Sequence, residues 1–299
     1  MVSRHVDLGG PVHYADFGGP DGPEPPLVLI HGLALSHASW LSVAPALALR
    51  RRVYALDFIG HGHTPLAGRR ANLQGHLDLI HRFLHDVVGE RAVLMGHSTG
   101  GHLSLLEAAQ APDHVAGLVL VDAAVPVPAA TVKVAAAQLA RVPLMSPVLM
   151  DLAVLLSGRR SPEKVARLLL RFCTPRVDLI SEDAIAALTE IEAERRGRWE
   201  AVRAFTMTTR SLTYWNLRKK RFYEMLARIE APALIVQGTI DPLVPRWAAY
   251  ELHRRRPDWA LALFPRIGHT PMLECPEDFV SVVEAWTAAQ APRPSSPLP

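Results

Sequence analysis

The chain has 299 residues, 49% of them apolar and 20% charged, with a formal net charge of +3. Such a length fits one large α/β domain or a core with an insertion, and such a composition is that of an ordinary globular protein. The mild positive excess argues neither for nor against an acidic partner. The basic runs Arg50-Arg51-Arg52, Arg218-Lys219-Lys220-Arg221 and Arg254-Arg255-Arg256 read as solvated surface. No recognisable nucleic-acid module accompanies them, so no nucleic-acid partner is expected. Two cysteines, Cys173 and Cys275, imply neither a disulfide framework nor a metal spacing. The N-terminus lacks the apolar stretch of a signal peptide, and no apolar run reaches the length of a membrane span. A cytoplasmic location is therefore expected.

In chain order, strands are expected at 4–8, 12–17, 27–30, 53–57, 92–95, 118–121, 234–237 and 260–264. The first two alternate polar and apolar residues and suit an antiparallel edge. Later runs such as Leu27-Val28-Leu29-Ile30 and Leu118-Val119-Leu120-Val121 are continuously apolar. That pattern suits strands covered on both faces, as in a parallel sheet. Helical periodicity appears at 38–49, 73–88, 101–110, 246–255 and 276–289. The alternation predicts an α/β fold with a doubly wound, mostly parallel, eight-stranded sheet.

Between about residues 125 and 228 the strand signal vanishes. Helical segments are expected at 130–158, 161–173, 182–195 and 199–216, with Pro143 and Pro147 breaking the first. The expected organisation is a core at 1–124, a helical cap at 125–228, the rest of the core at 229–291, and a disordered tail at 292–299.

The turn Gly96-His97-Ser98-Thr99-Gly100-Gly101 joins an apolar strand to a helix. A serine between glycines at such a turn is strained and lifts its hydroxyl clear of the sheet. Ser98 is therefore a candidate nucleophile, which needs a base. His269, in Gly268-His269-Thr270-Pro271 after the last strand, is the candidate. A carboxylate must orient that base. Asp241 is preferred, on the loop after strand 234–237; Asp122, ending strand 118–121, is the rival. Asp57 reads as a structural turn residue. The main-chain N–H of Thr99 suits an oxyanion donor, and Leu33, after the third strand, offers the second. Trp40, Tyr214, Trp215 and Val244 are candidate pocket residues, although aromatic residues at helical spacing are more often core. His61 and His63 invite a metal reading, but no metal or other cofactor is expected. His97 is expected to pack or hydrogen-bond locally.

Together, His31-Gly32, Asp57-Phe58-Ile59-Gly60-His61-Gly62, the Ser98 turn, Asp241 and Gly268-His269 resemble the α/β-hydrolase superfamily. The likeness covers nearly the whole chain outside the cap and tail. It implies that Ser98, Asp241 and His269 form a triad, with Leu33 and Thr99 as oxyanion donors. The chain is similar to capped bacterial esterases, monoacylglycerol lipases and carbon–carbon bond hydrolases. Serine at the turn disfavours dehalogenase and epoxide hydrolase chemistry, which needs an aspartate there. The expected activity is cleavage of a small hydrophobic carboxylic ester through an acyl-enzyme. The alternatives are a carbon–carbon bond hydrolase, an acyltransferase, a perhydrolase, or a silent ligand-binding receptor. Oligomeric state is left open.

Overall fold

The computed structural model describes residues 1–126, 161–195 and 199–290. Eight strands lie in one sheet: β1 (Val2–Asp7), β2 (Pro11–Asp16), β3 (Leu27–Ile30), β4 (Val53–Leu56), β5 (Ala92–His97), β6 (Val115–Val121), β7 (Ala233–Gly238) and β8 (Ala260–Phe264). Their spatial order is β1-β2-β4-β3-β5-β6-β7-β8. β2 runs antiparallel to β1 and β4, and the other pairs are parallel. This is the expected doubly wound sheet with its antiparallel edge.

The apolar strands divide their side chains between two cores. Val28 and Ile30 of β3 face one, while Leu27 and Leu29 face the other. That is the two-residue period of a pleated strand. Burial on both faces explains why β3, β4, β5 and β7 are buried throughout.

The described helices are α1 (Ala44–Leu47), α2 (Leu73–Phe83), α3 (Thr99–Gln110), α4 (Pro162–Cys173), α5 (Glu182–Arg195), α6 (Trp199–Leu217), α7 (Lys219–Leu226), α8 (Trp247–Arg255), α9 (Pro271–Glu274) and α10 (Pro276–Gln290). The expected helix at 38–49 is instead a 3-10 turn at His37–Trp40 followed by the short α1. Pro45 accounts for the break, because proline lacks an N–H and fits only a first helical turn. The expected helix at 73–88 changes to a π turn at Leu84–Val88, closed by left-handed Gly89. The helix at 219–226 was not anticipated. The expected helix at 130–158 and the tail at 292–299 lie outside the described residues.

Helices α4 to α7 form an insertion between β6 and β7. Within it α4 packs on α5, and α5 rests on the His37–Trp40 turn. α6 packs on α2, and α7 packs on α3. The insertion thus packs on the elements that follow β3, β4 and β5. No helix among the described residues is long and apolar enough to cross a membrane.

Candidate active site

The turn after β5 is set by backbone collision. Ser98 has φ 53° and ψ −113°, a conformation that costs a non-glycine residue about 1–3 kcal/mol. Its N–H donates to the Val121 carbonyl at 2.8 Å, and its carbonyl accepts from Ala124 N–H at 2.9 Å. A Cβ at Gly100 would strike the Ile30 carbonyl, so only glycine lets α3 start this close to β3. Ser98 itself is partly exposed, whereas His97, Thr99 and Gly100 beside it are buried.

His269 lies on the loop after β8. Its Nδ1 is 2.6 Å from Asp241 Oδ2, and its side chain is 3% exposed. An ionised carboxylate only accepts, so Nδ1 carries the proton and Nε2 keeps a free lone pair. Asp241 Oδ1 is taken by the N–H groups of Leu243 and Val244, at 2.7 and 2.9 Å. The acid is thereby locked to the turn that follows β7.

The rival Asp122 lies beneath this pair. Its Oδ1 accepts from Gly238 N–H at 2.9 Å and Gln237 Nε2 at 2.7 Å. Burial, reinforced by the negative charge of Asp241, pushes the Asp122 carboxyl well above the usual carboxylate range. Ionising Asp122 is therefore disfavoured where it sits. The imidazole of His269 bonds Asp241, not Asp122.

His97 ties the serine turn to the histidine loop. Its ring centroid is 4.6 Å from that of His269, and its Nε2 donates to the His269 carbonyl at 2.7 Å. Burial, then the neighbouring His269, holds His97 well below the usual imidazole range, so it is a neutral donor. On its other side stands the loop after β3. A Cβ at Gly32 would lie 2.6 Å from His97 Nδ1 and 3.2 Å from Ser98 Cβ. Glycine there lets the Leu33 main chain run beside Ser98. Thr99 is the first residue of α3, where main-chain N–H groups lack intrahelical acceptors.

Two buried carboxylates, missed from sequence as a pair, hold these loops. Asp57 accepts from four donors: His37 N–H at 2.7 Å, His63 N–H at 3.0 Å, and the Nδ1 atoms of His13 and His37 at 2.7 and 2.9 Å. The two imidazole bonds draw its pKa well below the usual range in spite of burial. It fixes the β3 loop relative to the turn after β4, so the turn role expected of it extends to a neighbouring loop. Glu274 accepts from Gly268 N–H at 2.8 Å, Thr270 N–H and Oγ1 at 3.0 Å each, and Thr174 Oγ1 at 2.8 Å. It clamps both sides of His269. Glu274 ends the short α9, and no local sequence signal marks it as a clamp.

The candidate pocket residues are scattered. Trp40 is fully buried, edge-on to the His97 ring at 6.5 Å. Val244 is buried beside Asp241, to which its N–H is bonded. Trp215 is half-buried near the ring of His102. Tyr214 is 50% exposed, with the Arg218 guanidinium 4.0 Å from its ring centroid. His61 is buried and His63 pairs with Glu194 of α5 at 3.1 Å.

The profile of the α/β hydrolase fold family matches residues 25–276. Over 286 residues the chain is 30% identical to the pimeloyl-(acyl-carrier protein) methyl ester esterase of Nitrosomonas europaea, spanning 95% of this chain and 100% of that protein. It is 25% identical to the 2-hydroxy-6-oxo-6-(2'-aminophenyl)hexa-2,4-dienoic acid hydrolase of Metapseudomonas resinovorans, spanning 97% and 92% of the two chains. A thermophilic esterase from Thermogutta terrifontis superposes with a TM-score of 0.71 at 19% identity, over 98% of this chain and 100% of that one. That last likeness is one of fold. With a family profile matched across most of its length and a full-length relative at 30% identity, the chain belongs to the α/β hydrolase family.

Proposed function

We propose that the protein is a serine hydrolase that cleaves a carboxylic ester of a hydrophobic substrate. The observation that carries this reading is the strained, partly exposed Ser98 on a turn whose His97 bonds the carbonyl of His269, a histidine whose Nδ1 is committed to Asp241. In this reading His269 Nε2 takes the Ser98 proton as the hydroxyl attacks the carbonyl. The N–H groups of Leu33 and Thr99 stabilise the tetrahedral oxyanion. His269 then protonates the leaving alcohol, and a water activated by the same nitrogen releases the acid. Asp241 steadies the imidazolium. The insertion, with bounds at 125 and 228, acts as the cap that selects the acyl or alcohol group, with Trp215 and Val244 as pocket candidates.

Support comes from the full-length relative of Nitrosomonas europaea, which is a methyl ester esterase. Carbon–carbon cleavage is the second reading, favoured by the hydrolase relative of Metapseudomonas resinovorans. A panel of p-nitrophenyl esters of rising acyl length, run beside a meta-cleavage product analogue, tests the two. Ester turnover that rises with acyl length supports the proposal. Carbon–carbon cleavage without ester turnover overturns it in favour of the second reading. Turnover of neither, with no reaction of Ser98 toward a fluorophosphonate, favours a silent receptor.

A further inference from the structure

Among the described residues three groups of histidine and carboxylate bring their donor atoms within 4.8 Å of one another. They are His13, His37 and Asp57; Asp122, Asp241 and His269; and His81, Glu107 and His114. The first is closed. Both imidazole Nδ1 atoms point at one oxygen of Asp57, which also takes two main-chain N–H groups, and no side chain of the three is more than 6% exposed. The second belongs to the candidate active site. The third serves neither purpose.

We propose that His81, Glu107 and His114 form a binding site for a divalent transition ion of zinc type. His81 stands in the last turn of α2, Glu107 near the end of α3, and His114 in the 3-10 turn that follows α3. The Nδ1 atoms of His81 and His114 lie 3.0 and 3.5 Å from Glu107 Oε1. Tetrahedral ligands at about 2.0–2.1 Å from zinc stand about 3.3 Å apart, so the two measured separations bracket the required one. The set of two imidazoles and one carboxylate suits zinc, cobalt or nickel and leaves an open position.

Access and shape agree. The Glu107 side chain is 1% exposed at the floor, while His81 is 50% and His114 24% exposed at the rim. Among the described residues no lysine or arginine is paired with Glu107, whose partners are the two imidazoles. His114 Nδ1 is buried, and among the described residues its contact is the loose one to Glu107 at 3.5 Å. A fourth ligand is at hand. His85 follows His81 by four residues, is 72% exposed, and has its ring centroid 6.2 Å from that of His114. Its present bond to the neighbouring Asp86 is an exposed one that a side-chain rotation replaces. On binding, the imidazole protons move to Nε2 and face solvent, freeing Nδ1 for the metal.

Nine residues of α3 separate Glu107 from Ser98, about 13 Å along the helix. The ion therefore acts as a clamp joining the ends of α2 and α3 to the turn before β6, not as part of the reaction. The test is isothermal titration of the untagged, chelator-stripped full chain with ZnCl2, with Co2+ absorption as the geometric readout. Expected are one tight site per chain, visible-region Co2+ bands of four- or five-coordination, and a zinc-dependent rise of several degrees in Tm. Affinity should fall at least tenfold in His81→Ala and in His114→Ala, with ester turnover unchanged. Both side chains are at the surface, so these variants keep the test sound even where Glu107→Gln fails to fold. No tight binding to the wild type, or equal affinity in the His81→Ala/His114→Ala double variant, overturns the proposal.

Discussion

The loops at the carboxyl edge of the sheet and the helices above them are held by different means. Below, Asp57, Asp241 and Glu274 are buried carboxylates, each satisfied by several donors from separate loops. Above, the ion pairs of the insertion are exposed, as in Arg167 with Glu163 and Glu182, and Arg176 with Asp178. Among the described residues, polar contacts join the two layers at several points. Cys173 carbonyl accepts from His269 N–H at 2.9 Å, Thr174 reaches Glu274, and Thr208 of α6 meets His76 of α2 at 2.9 Å. Charged hydrogen bonds in the interior are worth about 1.5–3 kcal/mol each, whereas exposed pairs contribute about 0–1 kcal/mol. The difference teaches where change is tolerated: the lower layer fixes the loops that carry Asp241 and His269, and on the proposed reading the upper layer is the part free to vary with the substrate.

The largest effect should come from the serine. Ser98→Ala should lower kcat/KM on the tested esters by about 10^4-fold or more, with the circular dichroism spectrum unchanged. Ser98→Gly should be as inactive yet melt higher, by about 1 kcal/mol in denaturant titration, because glycine takes φ 53° without strain.

Next in size is the split between the two adjacent acids. Asp241→Asn should cost about 10^3–10^4-fold in kcat, since it presents the wrong partner to His269 Nδ1. Asp122→Asn, which removes a carboxyl whose ionisation burial already disfavours, should stay within about threefold of wild type. Steady-state kinetics on the pair decides the assignment; equal losses would return Asp122 to candidacy.

Glu274→Gln should reduce stability by about 2–3 kcal/mol and lower kcat, because one donor among Gly268, Thr270 and Thr174 loses its acceptor. Urea titration alongside kinetics checks it. A loss of stability with kcat intact would show that the clamp does not position His269.

Acid should loosen the contact between the layers. Burial pushes His76 down to about 3 and His102 down to about 4. In the unfolded chain both imidazoles titrate near 6.5. Between those values the unfolded chain binds more protons, so stability is fully present above about pH 6.5 and falls as pH drops. Each group contributes a slope of at most about 1.4 kcal/mol per pH unit. Denaturant titrations from pH 7 to 4 should show this slope, and His76→Gln should reduce it. The smallest effect belongs to the surface of the insertion: Arg167→Ala should change stability by under about 0.5 kcal/mol.

The strands were legible because burial on both faces leaves an unbroken apolar run, as in Leu27 to Ile30. The serine turn was legible because glycine is the only residue that fits its collisions, and the sequence shows glycine directly. Proline in α1 and the change of winding after Phe83 blurred two helices whose periodicity looked longer. Glu274 and the two histidines on Asp57 were not legible as partners. Thr174 is 100 residues from Glu274, and His13 is 44 residues from Asp57. Nothing local marks a carboxylate whose donors come from other loops.

The central claim is that Ser98 is the reacting nucleophile, and covalent labelling tests it most directly. The wild-type chain is treated with a fluorophosphonate, digested and mapped by peptide mass. One adduct is expected, on the peptide bearing Ser98, with parallel loss of ester turnover and no adduct in Ser98→Ala. Labelling elsewhere, or full turnover in Ser98→Ala, would contradict it.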